Sequence, residues 1–295
     1  MTKIIQKFDE IASNYKAIFC DLWGCLHNGQ TSFSDSLNTL ISFKRQGGAI
    51  ILLTNAPRPK HDVATFIDKL GINKDCYDDL VTSGDAAQIS LFLGKYGTKI
   101  FHIGPERDYC FFDIDPALLP NPISLEFVDI DEASCIVCTG LFNDRTETPQ
   151  DYNDIIRKGI NLNLDLLCVN PDIQVDYGNR RLWCAGAIAE NYKKQGGSAH
   201  YFGKPYKPIY DLALQKLNHL DSTITKNEIL CIGDGISTDI SGGIFCGFDT
   251  LFVCGGLSDR DTGTTRTSPS PDSLKLSKFL KKLDLNPTAS IGYLR

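Results

Sequence analysis

Short apolar runs alternate with amphipathic stretches along most of the chain, and this pattern predicts strands alternating with helices. Residues 17–20 and 49–53 are apolar without polar alternation, as expected of strands buried on both faces of a parallel sheet. Between these runs, Leu37, Leu40 and Ile41 recur at helical spacing. The order strand, helix, strand favours βαβ units, and we expect an α/β protein built on a doubly wound parallel sheet.

The same criteria divide the rest of the chain. The predicted strands cover residues 17–20, 49–53, 79–82, 99–103, 124–128, 134–139, 164–169, 199–202, 228–232 and 250–254. The predicted helices cover residues 34–46, 60–70, 85–96, 151–158, 185–194, 208–217, 240–246 and 273–282, with a further helix within residues 1–15. Residues 258–271 are rich in Ser, Thr, Asp and Pro, which predicts a mobile connection before the last helix.

The middle of the chain holds enough predicted elements for an α/β domain of its own. A chain of 295 residues is long enough for two domains, or for one domain that carries a large insertion. We therefore expect a core domain made from residues 1–83 and 184–295. Residues 84–183 would form a smaller α/β domain inserted into it.

Composition limits the classes of partner. Thirty Lys and Arg stand against 36 Asp and Glu, and no basic stripe interrupted by aromatics is present, which argues against nucleic acid. No apolar run reaches membrane-spanning length, and residues 1–15 lack the apolar core of a signal peptide. These features predict a cytoplasmic enzyme that contacts neither nucleic acid nor membrane. They leave the oligomeric state open, with a homo-oligomer among the alternatives.

The cysteines indicate a reducing compartment. Their number, 11, is odd, and many of them lie in apolar strands, so buried thiols are expected in place of a disulfide framework. Cys135 and Cys138 have CxxC spacing, but no second CxxC exists to complete a zinc site. We interpret the pair as structural.

Polar residues follow four of the predicted buried strands. They are Asp21, Thr54 with Asn55, Lys204, and Asp234 with Asp239. The carboxyl ends of parallel strands share one edge of a sheet, so residues distant in sequence can converge there on one pocket. A carboxylate at such an edge can attack a phosphoryl group, provided that a divalent cation and a fixed positive charge offset the repulsion between anions.

These residues supply the required groups. Asp21 and Asp234 would hold Mg²⁺, Lys204 would carry the fixed charge, and the Thr54 hydroxyl would donate to phosphoryl oxygens. Each feature also has a simpler structural interpretation. Asp21 could cap a helix, Thr54 could begin a capping turn, and the Gly-Lys-Pro sequence at Lys204 could be a surface turn.

Together these motifs resemble the haloacid dehalogenase superfamily over nearly the whole chain, and specifically its class IIA phosphatases. This group contains 4-nitrophenyl phosphate, pyridoxal phosphate and phosphoglycolate phosphatases. The resemblance implies a Rossmann-like core with an inserted α/β cap, a Mg²⁺ cofactor, and a small phosphorylated metabolite as substrate. It also implies a phosphorylated aspartate as the reaction intermediate.

The resemblance assigns roles residue by residue. Asp21 matches the nucleophile, Thr54 with Asn55 the phosphate-binding motif, and Lys204 the family's lysine. The metal ligands would be Asp21, Asp234 and the backbone carbonyl of Trp23, with Asp239 acting indirectly. The sequence Asn170-Pro171-Asp172 is similar to a recurring cap segment, so Asn170 and Asp172 are candidate substrate contacts. Arg58 is a candidate anion contact, although an arginine between two prolines is equally consistent with an exposed position.

One position departs from the family pattern. The first motif usually reads Asp-x-Asp, and its second Asp protonates the leaving oxygen, but here that position is Trp23. Indole has no titratable proton near neutral pH. Either another group such as His27 supplies the proton, or the leaving group needs none, or the protein binds its ligand without turnover. The sequence therefore favours a Mg²⁺-dependent phosphatase that is slow or specialised, with a non-catalytic phosphometabolite sensor as the alternative.

Overall fold

A computed structural model describes residues 2–178 and 180–295, which divide into two compact units. The first unit comprises the chain up to Thr54 together with Thr65–Val81 and Tyr210–Arg295. The second comprises Asn55–Ala64 and Thr82–Ile209. No helix within the described residues is long and apolar enough to span a bilayer.

The helices and strands follow one another in the order that the hydrophobic pattern predicted for most of the chain. The first stretch contains β1 (Lys3–Ile4), α1 (Asp9–Ala12), β2 (Ala17–Asp21), α2 (Ser34–Arg45), β3 (Ala49–Thr54), α3 (Lys60–Lys69) and β4 (Asp79–Thr82). The middle contains α4 (Ser83–Phe92), β5 (Lys99–Ile103), β6 (Glu126–Phe127), β7 (Cys135–Cys138), α5 (Asn153–Asn161), β8 (Asp165–Cys168), β9 (Gln174–Tyr177), β10 (Arg180–Trp183), α6 (Ala185–Lys194) and β11 (Ser198–Tyr201). The last stretch contains α7 (Lys207–Leu220), β12 (Ile229–Gly233), α8 (Ser241–Phe245), β13 (Asp249–Val253), α9 (Asp259–Thr262), α10 (Ser273–Leu283) and β14 (Ala289–Ile291).

A seven-stranded sheet organises the first unit, in the order β1-β14-β13-β12-β2-β3-β4. The chain moves outward from β2 to β4 on one side and from β12 to β14 on the other. The strand order therefore reverses between β2 and β12, which pair in parallel. This arrangement confirms the predicted doubly wound α/β class, and open sheets of this kind bind ligands beside such a reversal.

The second unit has a parallel sheet of its own, in the order β11-β8-β7-β5-β6. Its core combines strand residues with buried side chains of the flanking helices, among them Tyr152, Ile156, Ile188 and Tyr192. A separate antiparallel hairpin is formed by β9 and β10. Because this unit buries a core of its own, it has the organisation expected of an independent domain.

Two local predictions were wrong, and three further strands were not predicted. One helix was expected within residues 1–15, but β1 pairs with β14 at the sheet edge and only the short α1 follows. The hairpin strands β9 and β10 contain no apolar run, and β14 has only three residues, so none of them was recognised. Residues 258–271 were expected to be mobile, yet they contain α9, and Thr262 and Thr264 are buried and hydrogen-bonded to each other. Hydroxyl groups that find partners can be buried, so polar composition alone misleads here.

The sheet membership of one strand also differs from expectation. The strand predicted at 199–202 was placed in the core domain, which was to resume at residue 184. In the structure β11 pairs with β8, so it belongs to the sheet of the second unit. The parallel partner decides sheet membership, and the sequence does not reveal that partner. The division into core and inserted cap itself stays a prediction.

Candidate active site

Three of the predicted site residues lie at the carboxyl ends of neighbouring strands in the first unit. Asp21 ends β2, Thr54 ends β3, and Asp234 follows β12 directly. The parallel register pairs Asp21 with Leu53 and Cys20 with Ile232, so the three ends are level. All three residues are buried, with Asp21 only 8% exposed. The predicted convergence at one sheet edge is thus found for these residues.

The two aspartates lie close enough to share a cation. Carboxylate oxygens of Asp21 and Asp234 and the sulfur of Cys25 all lie within 4.8 Å of one another. Two buried anions at this separation repel each other, and a bound cation offsets that repulsion. Carboxylate oxygens are the donors that hard divalent cations prefer, so the residues present fit Mg²⁺.

Backbone atoms hold the Asp234 carboxylate from two sides. Its Oδ2 accepts a hydrogen bond from the Leu257 N–H at 2.8 Å. Gly24 and Gly256 pack directly against it, since a Cβ on either glycine would lie about 2 Å from Oδ2 (2.1 and 1.9 Å). Only glycine lets the two loops approach the carboxylate this closely.

We expect Gly24→Ala to weaken divalent-cation binding. The new Cβ would displace the Asp234 carboxylate, one of the two suited to the cation. Turnover should fall as well, since a displacement of about 1 Å in a catalytic site can cost roughly 10²-fold in rate. Gly24 also has φ +75°, so part of any loss of stability would come from backbone strain. Calorimetric titration with Mg²⁺ and urea unfolding measure the two effects separately.

Gly47→Ala is the matched control for this substitution. Gly47 has a similar φ of +92°, but a Cβ there meets nothing within 4 Å. Both variants should lose about 1–2 kcal/mol of stability to backbone strain. Equal cation affinity in the two variants would show that the contact with Asp234 does not matter.

Asp239 supports the loop that carries Asp234. Its Oδ2 accepts a hydrogen bond from the Gly235 N–H at 3.0 Å, and it lies in a wide helical turn at Ile236–Ile240. A Cβ on Gly233 would lie 2.1 Å from the Asp239 side chain, so strand end and turn are in close contact. This placement is compatible with the predicted indirect role of Asp239 at the metal.

The Cys25 thiol was not singled out from the sequence. It is 1% exposed, and burial, followed by the negative charge of Asp234, raises its pKa well above the ordinary value. The sulfur is therefore a neutral thiol at neutral pH, and neutral thiols are poor ligands for hard cations. Asp21 and Asp234 remain the side chains suited to Mg²⁺.

Trp23 and His27 pack together beside these strand ends. Their rings meet edge to face at 4.9 Å, and Phe66 covers His27 at 5.8 Å. The Nδ1 of His27 accepts a hydrogen bond from the Gly29 N–H at 2.9 Å, whereas Nε2 has no hydrogen-bond partner among the described residues. Burial lowers the pKa of His27 to about 4. The imidazole is therefore neutral at pH 7, which argues against His27 as the missing proton donor.

The Asn55 side chain links Lys204 and Asp172. All three residues belong to the second unit. The Asn55 Oδ1 accepts a hydrogen bond from the Lys204 N–H at 2.7 Å, and its Nδ2 donates to the Lys204 carbonyl at 3.0 Å. Nδ2 also donates to Asp172 Oδ1 at 2.8 Å. Asn170 accepts a hydrogen bond from the Asp172 N–H at 3.0 Å. The assignment of Asn170 and Asp172 as substrate contacts stays a prediction.

Arg58 belongs to the second unit and forms an ion pair there. Its Nε donates to Asp108 Oδ1 at 3.1 Å. Asp108 is 3% exposed; burial raises its pKa, while the charges of Arg58 and Arg107 oppose that shift. The Arg58 side chain is 38% exposed, and its predicted role as an anion contact stays a prediction.

Sequence reasoning missed the residues that support these side chains. Gly256 and Leu257 follow β13, and the pair Gly255-Gly256 after an apolar strand was a signal for close backbone approach. Asp108 lies in a polar stretch of the sequence and gave no comparable signal. Its partner in the structure, Arg58, is distant in the chain.

Comparison with known proteins independently supports the resemblance to haloacid dehalogenase-like proteins. The family model described as haloacid dehalogenase-like hydrolase matches residues 18–113, and a second model described as HAD-hydrolase-like matches residues 201–275. A solved structure of a haloacid dehalogenase-like hydrolase from Brucella suis 1330 has a TM-score of 0.85 and 37% identity. The alignment covers 99% of this chain and all of that one (100%).

Two curated relatives are named phosphatases. An acid sugar phosphatase of Staphylococcus aureus (strain USA300) is 30% identical over 274 residues, covering 92% of this chain and 98% of the relative. The ribonucleotide monophosphatase NagD of Escherichia coli (strain K12) is 25% identical over 253 residues, covering 83% and 90%. The similarity therefore extends over both units.

Proposed function

The chain belongs to the haloacid dehalogenase-like hydrolase family and is a phosphatase, and we propose that it releases phosphate from a small metabolite through a phosphorylated Asp21. The observation that carries this proposal is the pair of buried carboxylates at the ends of β2 and β12. A pair of anions held this close is costly to bury without a chemical use.

Asp21 would act as the nucleophile. Its carboxylate oxygen attacks phosphorus, the bond to the leaving oxygen breaks, and water then hydrolyses the acyl phosphate to regenerate the carboxylate. Thr54 ends β3 at the same sheet edge as Asp21, and its hydroxyl can donate to a phosphoryl oxygen. Lys204 is assigned to the phosphate by the family pattern alone.

A divalent cation is part of the proposal, and Mg²⁺ is the ion that the donors suit. Asp21 and Asp234 would hold it, together with the backbone carbonyl of Trp23. When bound, the ion neutralises charge on the phosphoryl oxygens and on the two carboxylates. Asp239 and the Leu257 N–H keep the Asp234 side of the site in place.

The substrate should have a leaving group that departs without protonation. Trp23 has no proton to give, and His27 is neutral, buried and covered by aromatic rings. Aryl and acyl phosphates have leaving groups of low basicity, and they depend least on a general acid. The names of the relatives, a sugar phosphatase and a ribonucleotide monophosphatase, support a small phosphorylated metabolite in general, and the choice of leaving group rests on Trp23 and His27 alone.

A panel of phosphate esters tests the proposal. With Mg²⁺ present, the protein should release phosphate from 4-nitrophenyl phosphate and acetyl phosphate faster than from glycerol phosphate, and EDTA should stop the reaction. Colorimetric phosphate determination follows all of these reactions. Saturable binding of the same esters with no phosphate released would overturn the proposal in favour of a non-catalytic sensor.

A further inference from the structure

Asn55 clamps the main chain of Lys204 on both sides. One end of its amide accepts the Lys204 N–H at 2.7 Å, and the other donates to the Lys204 carbonyl at 3.0 Å. Asn55 and Lys204 are each 3% exposed, so water does not compete for these bonds. The position from which the Lys204 side chain starts therefore depends on how the Asn55 amide is oriented.

An asparagine amide can be reversed with little steric cost, because its oxygen and nitrogen ends have similar size. Reversal would direct the Asn55 nitrogen at the Lys204 N–H and the oxygen at the Lys204 carbonyl, and both hydrogen bonds would be lost. The Lys204 main chain therefore favours the observed orientation, and a further group beside the amide can strengthen that preference. An acceptor-only group beside Nδ2 does so, since an ionised carboxylate attracts the N–H and repels the oxygen.

Asp172 is that group. Its Oδ1 accepts the second N–H of the Asn55 amide at 2.8 Å, so both hydrogens of Nδ2 have acceptors. We propose that Asp172 is a positioning residue for Lys204, acting through the Asn55 amide. The proposal rests on the phosphate-binding role given to Lys204 under the proposed function, and it assigns Asp172 to the protein's own lysine in place of the substrate.

Close backbone contacts fix Asp172 relative to Asn55. Asp172 donates its N–H to Asn170 Oδ1, which closes the turn after β8. A Cβ on Gly186 would lie 2.2 Å from the Pro171 carbonyl oxygen, and a Cβ on Gly203 would lie 2.4 Å from Asn55 Oδ1. The start of α6 and the segment before Lys204 therefore pack closely against this turn and Asn55. No side chain would fit at Gly186 or Gly203. Such packing restricts the carboxylate to a small range of positions.

A double-mutant cycle with Lys204 tests this inference without needing turnover. The probe is inorganic phosphate with Mg²⁺ present, and the readout is its dissociation constant from calorimetry. We expect Asp172→Ala to weaken phosphate binding about tenfold, in keeping with the loss of a charge-assisted hydrogen bond. In a Lys204→Ala background the same substitution should have no further effect, because the side chain that it positions is gone.

The inference would be overturned if Asp172→Ala weakened phosphate binding equally in the wild-type and Lys204→Ala backgrounds. It would also be overturned if Asp172→Ala bound phosphate as tightly as the wild type, or if the wild-type protein did not bind phosphate. Asp172→Asn keeps the shape and one acceptor oxygen, so it should retain more affinity than Asp172→Ala and serves if the latter does not fold. Asp176→Asn is the control, since Asp176 is a partly exposed aspartate of β9 that forms an ion pair with Arg181. Failure of the proposed function is a separate result, namely that the wild-type protein binds phosphate but releases none from any ester.

Discussion

Asp21→Asn should abolish phosphate release from every ester that the wild-type protein hydrolyses. The substitution keeps the shape of a side chain that is 8% exposed, so the strand β2 should remain intact. It removes the anionic oxygen that attacks phosphorus and one of the two carboxylates suited to the cation. Loss of a nucleophile typically costs at least about 10⁴-fold in turnover.

Two measurements separate the roles of Asp21. Phosphate release gives the loss of turnover, and mass spectrometry of the acid-quenched protein should detect one added phosphoryl group in the wild type and none in the variant. Asp68→Asn is the matched control, because Asp68 is an exposed aspartate on α3 in the same unit. It should leave both measurements unchanged. Full activity in Asp21→Asn would end the assignment of Asp21 as the nucleophile.

Trp23→Asp should increase turnover of esters whose leaving group needs a proton. General acid catalysis is typically worth about 10²–10⁴-fold, and at present neither Trp23 nor His27 provides it. Glycerol phosphate has a basic alkoxide leaving group and should gain most. 4-Nitrophenyl phosphate has a weakly basic leaving group and should gain little, so the ratio of the two turnover numbers reports the restored proton.

Removing the indole also removes its contact with the His27 ring, and the gain must be separated from that change. Trp23→Asn makes the same reduction in size, but its side chain carries no proton that titrates near neutral pH. Only the Asp variant should show the altered ratio. Equal rates of glycerol phosphate hydrolysis in the two variants would mean that a missing proton donor does not limit the reaction.

The central strands of the first sheet were predictable because each has a recognisable hydrophobic pattern in the sequence. β2, β3 and β12 are built on apolar runs; β2 and β3 each end in a polar residue, and Asp234 follows β12 directly. A strand buried on both faces needs such a run regardless of its partners, so local sequence suffices. The placement of Asp21, Thr54 and Asp234 at one edge then follows from parallel pairing.

Elements that depend on a distant partner were not predictable. β1 and β14 have two and three residues, and neither run is long enough to show a period. Each is a strand only because β13 offers β14 an edge and β14 offers one to β1. Dependence on distant partners also limited the prediction of the site. Asn55, Asp172 and Lys204 were identified as candidates, but the hydrogen bonds among them join residues far apart in the chain and were not predicted.

The pairing of β1 with β14 has a consequence for how the protein is made. β1 precedes every other described strand in the chain, yet β14, the strand with which it pairs, follows all of them. Residues 82–209 are continuous and carry every strand of the second sheet, so that sheet can assemble while translation continues. β1 must therefore remain unpaired until β14 has been synthesised, so the pairing at this edge of the first sheet forms late.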